Sequence, residues 1–192
     1  MATVNSTMLP LGTKAPSFNL SEPFTGKYVN FDDYKDSKGY LVMFICNHCP
    51  YVKHLHPKLS ELCSLYQGKG IAVFAISSND TNQYPEDNTI MMIEEVKKHG
   101  FPFPYLFDED QTVAKAYHAA CTPEFYLFDS NKKLVYRGQF DDSRPGNGLP
   151  LTGDSLKNAL DALLSNKQPD PNNQKPSIGC NIKWKPGNEP NY

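Results

Sequence analysis

Leu41-Val-Met-Phe-Ile-Cys-Asn-His-Cys-Pro-Tyr-Val-Lys53 is the stretch whose reading decides the fold. It opens with an apolar run rich in strand formers, passes a C-x-x-C pair and meets Pro50, a residue suited to the first helical position. It therefore reads as a strand delivering thiols to the start of a helix. Unpaired backbone N–H groups and the positive end of the helix dipole favour negative charge there, which draws a cysteine toward the thiolate. The chemistry expected is redox chemistry on sulfur, and it requires that sulfur to lie open to an incoming electrophile.

Working outward, residues 40–46 read as a strand apolar on both faces, as when helices cover both sides of a sheet. After Pro50, the spacing of Val52, Leu55, Leu59, Leu62, Cys63 and Tyr66 predicts a helix ended by Gly68 and Gly70, with a kink at Pro57. Ile71–Ile76 is a second buried strand, and the polar loop of residues 77–88 follows at its carboxyl end, where open α/β sheets place their sites. A helix is predicted over Thr89–His99, a short strand over 103–107 and a short helix over 111–119. Glu124–Phe128 and Lys133–Arg137 alternate as a hairpin, and residues 153–165 form a closing helix. Toward the N-terminus, residues 1–15 read as irregular, and Phe18–Leu20 with Lys27–Phe31 as a hairpin around Gly26. No internal repeat is visible.

Three pieces of sequence carry a family resemblance: Gly12-x-x-Ala15-Pro16-x-Phe18-x-Leu20, Cys46-Asn-His-Cys49-Pro50 and Cys121-Thr122-Pro123. With them the chain resembles the thioredoxin-like superfamily, in its redoxin branch of AhpC/TSA-type and TlpA-like thiol-disulfide proteins. The resemblance covers roughly residues 9–165, a domain-sized length. It implies an α/β thioredoxin fold, a central mixed β-sheet flanked by helices, with an N-terminal β-hairpin extension. Residues 1–165 would form the redoxin domain and 166–192 an extended C-terminal tail. That tail carries five prolines, which favours an extended or partly disordered chain. It also holds Cys180 and the single tryptophan, Trp184, a cluster that suggests docking onto the domain.

The resemblance leaves two registers for the nucleophile. In one, Pro57 falls eight residues after Cys49, as the helix proline of thioredoxins follows the attacking cysteine, and Cys49-Pro50 is similar to the Cys-Pro of peroxiredoxins. In the other, Cys46 attacks and Cys49 is its partner, with His48 placed as in DsbA-like oxidants, where it stabilises the thiolate. Pro50 at the first helical position makes Cys49 the cap and favours the first register. Cys46 is then the resolving thiol. Thr122-Pro123 resembles the family's cis-proline segment, which faces the nucleophile. Cys121 and Cys180 are candidate resolving or accessory thiols, each with a plain alternative: buried packing for Cys121, a free tail cysteine for Cys180. Cys63 lies on the apolar helix stripe and reads as core. Met43 stands where many thioredoxins carry a buried acid, and residues 43–46 lack the proline and threonine of peroxiredoxins. That departure weighs against efficient peroxidase action, since peroxide cleavage depends on polarising donors.

Composition narrows the rest. A chain of 192 residues, 39% hydrophobic, builds one core, and 19 basic against 21 acidic residues leave a net charge of −2 with no basic cluster. Nucleic acid and membrane are not expected partners, and the N-terminus lacks the charge and apolar run of a secretory signal. A cytoplasmic location is expected, a periplasmic one staying open for a chain already stripped of its signal. Five scattered cysteines do not make a structural disulfide scaffold. No cofactor is expected. Cys46, His48, Cys49, His54 and His56 crowd together, yet no second well-spaced pair completes a zinc site, so no metal is assigned and His54 and His56 read as solvated helix-surface residues. The expected activity is thiol-disulfide oxidoreduction, with a protein or small-molecule disulfide as substrate and an external thiol as reductant. The alternatives are a peroxiredoxin-like peroxidase on Cys49 and a non-enzymatic metal-handling protein. Exposed edges and a free tail are compatible with a homodimer.

Overall fold

The computed structural model describes residues 2–192. Its centre is strand β4 (Gly39–Phe44), buried at all six positions. Alternation along it feeds two separate cores: Leu41 and Met43 point into one, and Tyr40, Val42 and Phe44 into the other. The same division holds in β5 (Ile71–Ser77), where Val73 and Ala75 face one core and Phe74 and Ile76 the other. Two apolar faces per strand explain why these runs are continuously hydrophobic. Each fully buried Leu, Val or Phe contributes about 1.5–3 kcal/mol.

The remaining strands are β1 (Thr3–Asn5), β2 (Asn19–Glu22), β3 (Lys27–Asn30), β6 (Tyr105–Phe107), β7 (Cys121–Thr122), β8 (Glu124–Asp129), β9 (Leu134–Gly138) and β10 (Ile178–Asn181). Seven of the ten form one mixed sheet in the order β3-β2-β6-β5-β4-β8-β9. β4 runs parallel to β5 and antiparallel to β8. The helices are α1 (Pro50–Gln67), α2 (Thr89–His99), α3 (Thr112–Ala116) and α4 (Asp154–Leu164). α1, α2 and α4 send Leu59, Val96 and Leu160 into the first core, while α3 and the N-terminal segment send Val113 and Phe18 into the second. The stripe predicted on α1 is the buried one, and the helix runs through Pro57. The N-terminal hairpin forms as β2 and β3 and joins the sheet through Ser21 and Phe107.

Two expectations require correction. Residues 1–15 are not wholly irregular, because Thr3–Asn5 is a strand. The tail is not loose: β10 lies between β1 and β7 in a second, three-stranded antiparallel sheet. Further bonds fasten it down, Ser177 exchanging bonds with Ser6, Ile182 N–H donating to Ala120 O, and Lys183 O accepting from Asp80 N–H. Trp184 packs against the second core. A proline-rich segment with no periodicity of its own is ordered here by backbone pairing with partners distant in sequence, Thr122 58 residues before Cys180 and Thr3 further still. Among the described residues no helix is long and apolar enough to cross a membrane.

Candidate active site at the start of helix α1

Cys49 is the N-cap of α1, with Pro50 at the next position. Its Sγ lies 2.8 Å from Cys180 Sγ and 3.2 Å from Thr122 O. Cys46 Sγ lies 3.3 Å from Thr122 Oγ1. The Thr122–Pro123 peptide bond is cis. β4 and α1 thus bring Cys46 and Cys49 to one turn, β7 sets Thr122 and Pro123 against it, and β10 adds Cys180, paired with Thr122 across the small sheet. All five cysteines are free thiols.

Negative charge concentrates on one of these sulfurs. A hydrogen bond from the Cys46 thiol is the largest influence on Cys49; burial opposes it, and donation from Cys180 and the Val52 N–H carries the thiol down to about 5. Burial pushes Cys46 and Cys180 the other way, and each rises further because its proton is shared toward Cys49. The Thr122 carbonyl serves the opposite state, since it accepts from a protonated Cys49 and repels a thiolate. The site therefore offers partners to both protonation forms.

The expectation that Cys49 lies open to an electrophile is not met: the residue has 0% exposure, and Cys180, itself 3% exposed, lies against it. β10 is part of the cover. Cys121 is buried, its thiol pushed well up by desolvation, with Sγ directed at Pro123 O and Glu124. Cys63 is likewise sealed in the core.

His48 does not face Cys49. Its Nδ1 meets Asp87 Oδ2 at 2.6 Å, and its ring stacks on Tyr84 with centroids 5.3 Å apart. Asp87 is fully buried and also accepts from the Asn47 N–H and from Asn79 Nδ2. Burial works against its charge, but the bonds from His48 and Asn79 win and hold the carboxyl below its usual range. Tyr105 donates to Asn47 Oδ1. Asp87 thereby pins the whole Asn47-His48 turn. The predicted crowd of metal ligands divides in the structure: His54 bonds Ser143, His48 joins Asp87 near Cys46, and His56 is buried beside Glu95 and His99 rather than solvated.

Sequence reasoning missed Asp87, Asn79 and Glu124. The loop carrying the first two was marked as a site location, but nothing in its spacing distinguishes Asp87 from its polar neighbours. Glu124 is 1% exposed, accepts from the Ala120 and Cys121 N–H groups and from Tyr126, and is pushed by burial up to about 7. A buried acid is thus present beside the cis-proline, although the strand before the motif carries Met43.

A mixed sheet flanked by helices, with two thiols at a helix start facing a cis-proline, defines a thioredoxin-fold protein. The fold is shared with a putative thiol:disulfide interchange protein DsbE from Chlorobium tepidum, at a TM-score of 0.65 and 23% identity over 81% of this chain and 99% of that one. The chain belongs to the AhpC/TSA family, whose model matches residues 11–137. It is similar to the thiol-disulfide oxidoreductase ResA of Geobacillus thermodenitrificans, 28% identical over 128 residues, 67% of this chain and 68% of that protein. An uncharacterized conserved protein from Geobacillus kaustophilus is 55% identical, with a TM-score of 0.94 over 97% of this chain and 98% of its own. A hypothetical protein from Sinorhizobium meliloti 1021 is 48% identical, with a TM-score of 0.93 over 95% of this chain and 99% of its own.

Proposed function

We propose that this protein is a thiol-disulfide oxidoreductase in which Cys49 is the attacking sulfur and Cys180, rather than Cys46, is the thiol that resolves it. The observation that carries the reading is the contact of Cys49 Sγ with Cys180 Sγ, 2.8 Å away at the start of a helix, with the charge drawn to Cys49. The Cys49 thiolate attacks one sulfur of a protein or small-molecule disulfide, forming a mixed disulfide and expelling the other sulfur as a thiolate that takes up a proton. Cys180, losing its proton, then attacks the Cys49 sulfur and releases the second substrate thiol. The products are a reduced dithiol and a Cys49–Cys180 disulfide, and two equivalents of an external thiol reductant return the pair to its starting state. Because Cys49 is sealed, β10 lifts from β7 to admit substrate. β10 is four residues long, so its lifting breaks its pairing to β7 without unfolding the main sheet, and local opening of this kind costs less than global unfolding.

The test combines turnover with mapping. Purified protein is assayed for reduction of insulin and a model disulfide, and oxidised protein is digested to locate its disulfide. Cys49→Ser is expected to abolish turnover, Cys180→Ser to trap the mixed disulfide, and Cys46→Ser to retain a reduced rate. Undiminished turnover in Cys49→Ser rejects the assignment, and a Cys46–Cys49 bond as the only oxidised product returns the resolving role to Cys46. Peroxide consumption with a sulfenate on Cys49, and no disulfide reduction, would mark a peroxidase instead.

A further inference from the structure

We propose that His56, Glu95 and His99 form a site for a divalent transition metal of the zinc class, between α1 and α2. Glu95 and His99 are four residues apart on α2 and so share one face of that helix, and His56 reaches them from α1. His99 Nε2 lies 3.3 Å and His56 Nε2 4.0 Å from Glu95 Oε2, and the two imidazole centroids are 3.9 Å apart.

The cluster is held at ion-pair distance but is not closed by hydrogen bonds. Glu95 Oε2 and His99 Nε2 are buried and neither has a hydrogen-bond partner, although they lie within reach of one another. The ligand atoms of His56, Glu95 and His99 all lie within 4.8 Å of one another. Leaving buried polar atoms unpaired costs about 1–3 kcal/mol each, so an arrangement that leaves two of them side by side calls for a third body. Zinc–nitrogen and zinc–oxygen bonds of about 2.0–2.2 Å in a tetrahedron place ligand atoms about 3.3 Å apart. The Glu95–His99 separation already has that value, and the His56–Glu95 separation of 4.0 Å needs to close by about 0.7 Å to match it. His56 has side-chain exposure of only 6%, so its ring is held beside Glu95 and His99 rather than free in solvent. Two imidazoles and one carboxylate are donors that zinc, cobalt and nickel accept, whereas calcium and magnesium prefer oxygen alone.

Three protein ligands leave a fourth position, and the cluster lines a cavity to which Ser60 also contributes. Lys53 and Lys98 line the same cavity and their charges oppose a dication, which sets the affinity below that of a closed structural zinc site. The hydrogen-bond partners of Cys49 Sγ are Thr122 and Cys180, neither of them in this cluster, so the site is separate from the thiol chemistry.

The experiment uses the full-length protein, reduced, freed of metal with a chelator and titrated with Zn(II) against a chromophoric competitor and with Co(II) followed by visible absorption. One equivalent is expected, with a cobalt spectrum lacking a thiolate charge-transfer band. Glu95→Gln and His99→Gln each weaken binding by about tenfold or more, and Cys46→Ser and Cys49→Ser leave it unchanged. His99 is the partly exposed ligand, so its variant tests the site even if a change at buried His56 prevents folding. Absence of binding overturns the proposal. So does binding that shows the thiolate band, is lost in Cys49→Ser and survives Glu95→Gln, since that places the metal on the cysteines.

Discussion

At the scale of single residues, one negative charge is shared among three sulfurs, and the donors around Cys49 decide where it rests. Cys46 is the largest of the lowering influences and Cys180 a smaller one. Replacing Cys46 with alanine is therefore expected to raise the Cys49 pKa, and to raise it more than Cys180→Ala does. Ultraviolet thiolate absorbance followed against pH reads this directly, and a larger shift in Cys180→Ala would show that the donors are ranked wrongly. Glu124 gives a second residue-scale prediction. Its folded pKa of about 7 lies above the ordinary 4.5, so the native state holds a proton that the unfolded state has lost. The resulting stabilisation is complete below pH 4.5 and disappears as pH rises through about 7. Glu124→Gln, which stays neutral at every pH, should flatten that part of the stability profile in urea melts from pH 5 to 8. An unchanged slope would place the titration elsewhere.

Elements explain both what could be read in advance and what could not. β4, α1 and the hairpin of β8 and β9 were legible because each carries a local pattern: an unbroken apolar run in β4, alternation in the hairpin and a 3.6-residue period in the helix. The C-x-x-C placed between β4 and α1 located the sulfur site for the same reason. β10 has no such signal: Ile178-Gly-Cys-Asn181 is a strand only because β1 and β7 supply its hydrogen bonds. Its lid over Cys49 and the buried Asp87 node are consequences of contacts between distant segments, which local pattern does not encode. Gly179 shows how closely β10 is fitted, since a Cβ there would meet Thr122 O at 2.0 Å and Thr122 C at 2.7 Å. Both atoms are backbone and cannot step aside as a side chain would. Gly179→Ala should lift β10, destabilise the protein by about 1–3 kcal/mol and speed alkylation of Cys49. Mass-spectrometric alkylation rates check it, and a Cys49 that stays protected in a folded variant would mean that something other than this strand seals the sulfur.

For the whole molecule, the path of the chain makes the choice of disulfide a question of global stability. Cys49 and Cys180 are 131 residues apart, and bonding them would close a loop spanning most of the protein, whereas Cys46 and Cys49 enclose only a short turn. A cross-link acts mainly by restricting the unfolded chain, and for a loop of 100 residues or more the chain-entropy estimate is roughly 4–5 kcal/mol. Strain in the native state lowers that figure, so the expected gain is a few kcal/mol. Oxidation of the wild-type protein should therefore move the urea midpoint upward, and the shift should vanish in Cys180→Ser. Cys46→Ser should keep it, because Cys46 is not part of the long loop. The same bond would clamp β10 over the site, so the oxidised protein should also be slower to accept a thiol reductant as urea-sensitive opening is suppressed. If oxidation changes the unfolding free energy by less than about 1 kcal/mol while Cys49 is fully blocked to alkylation, the short turn has closed instead, and the tail serves as a cover without taking part in the exchange.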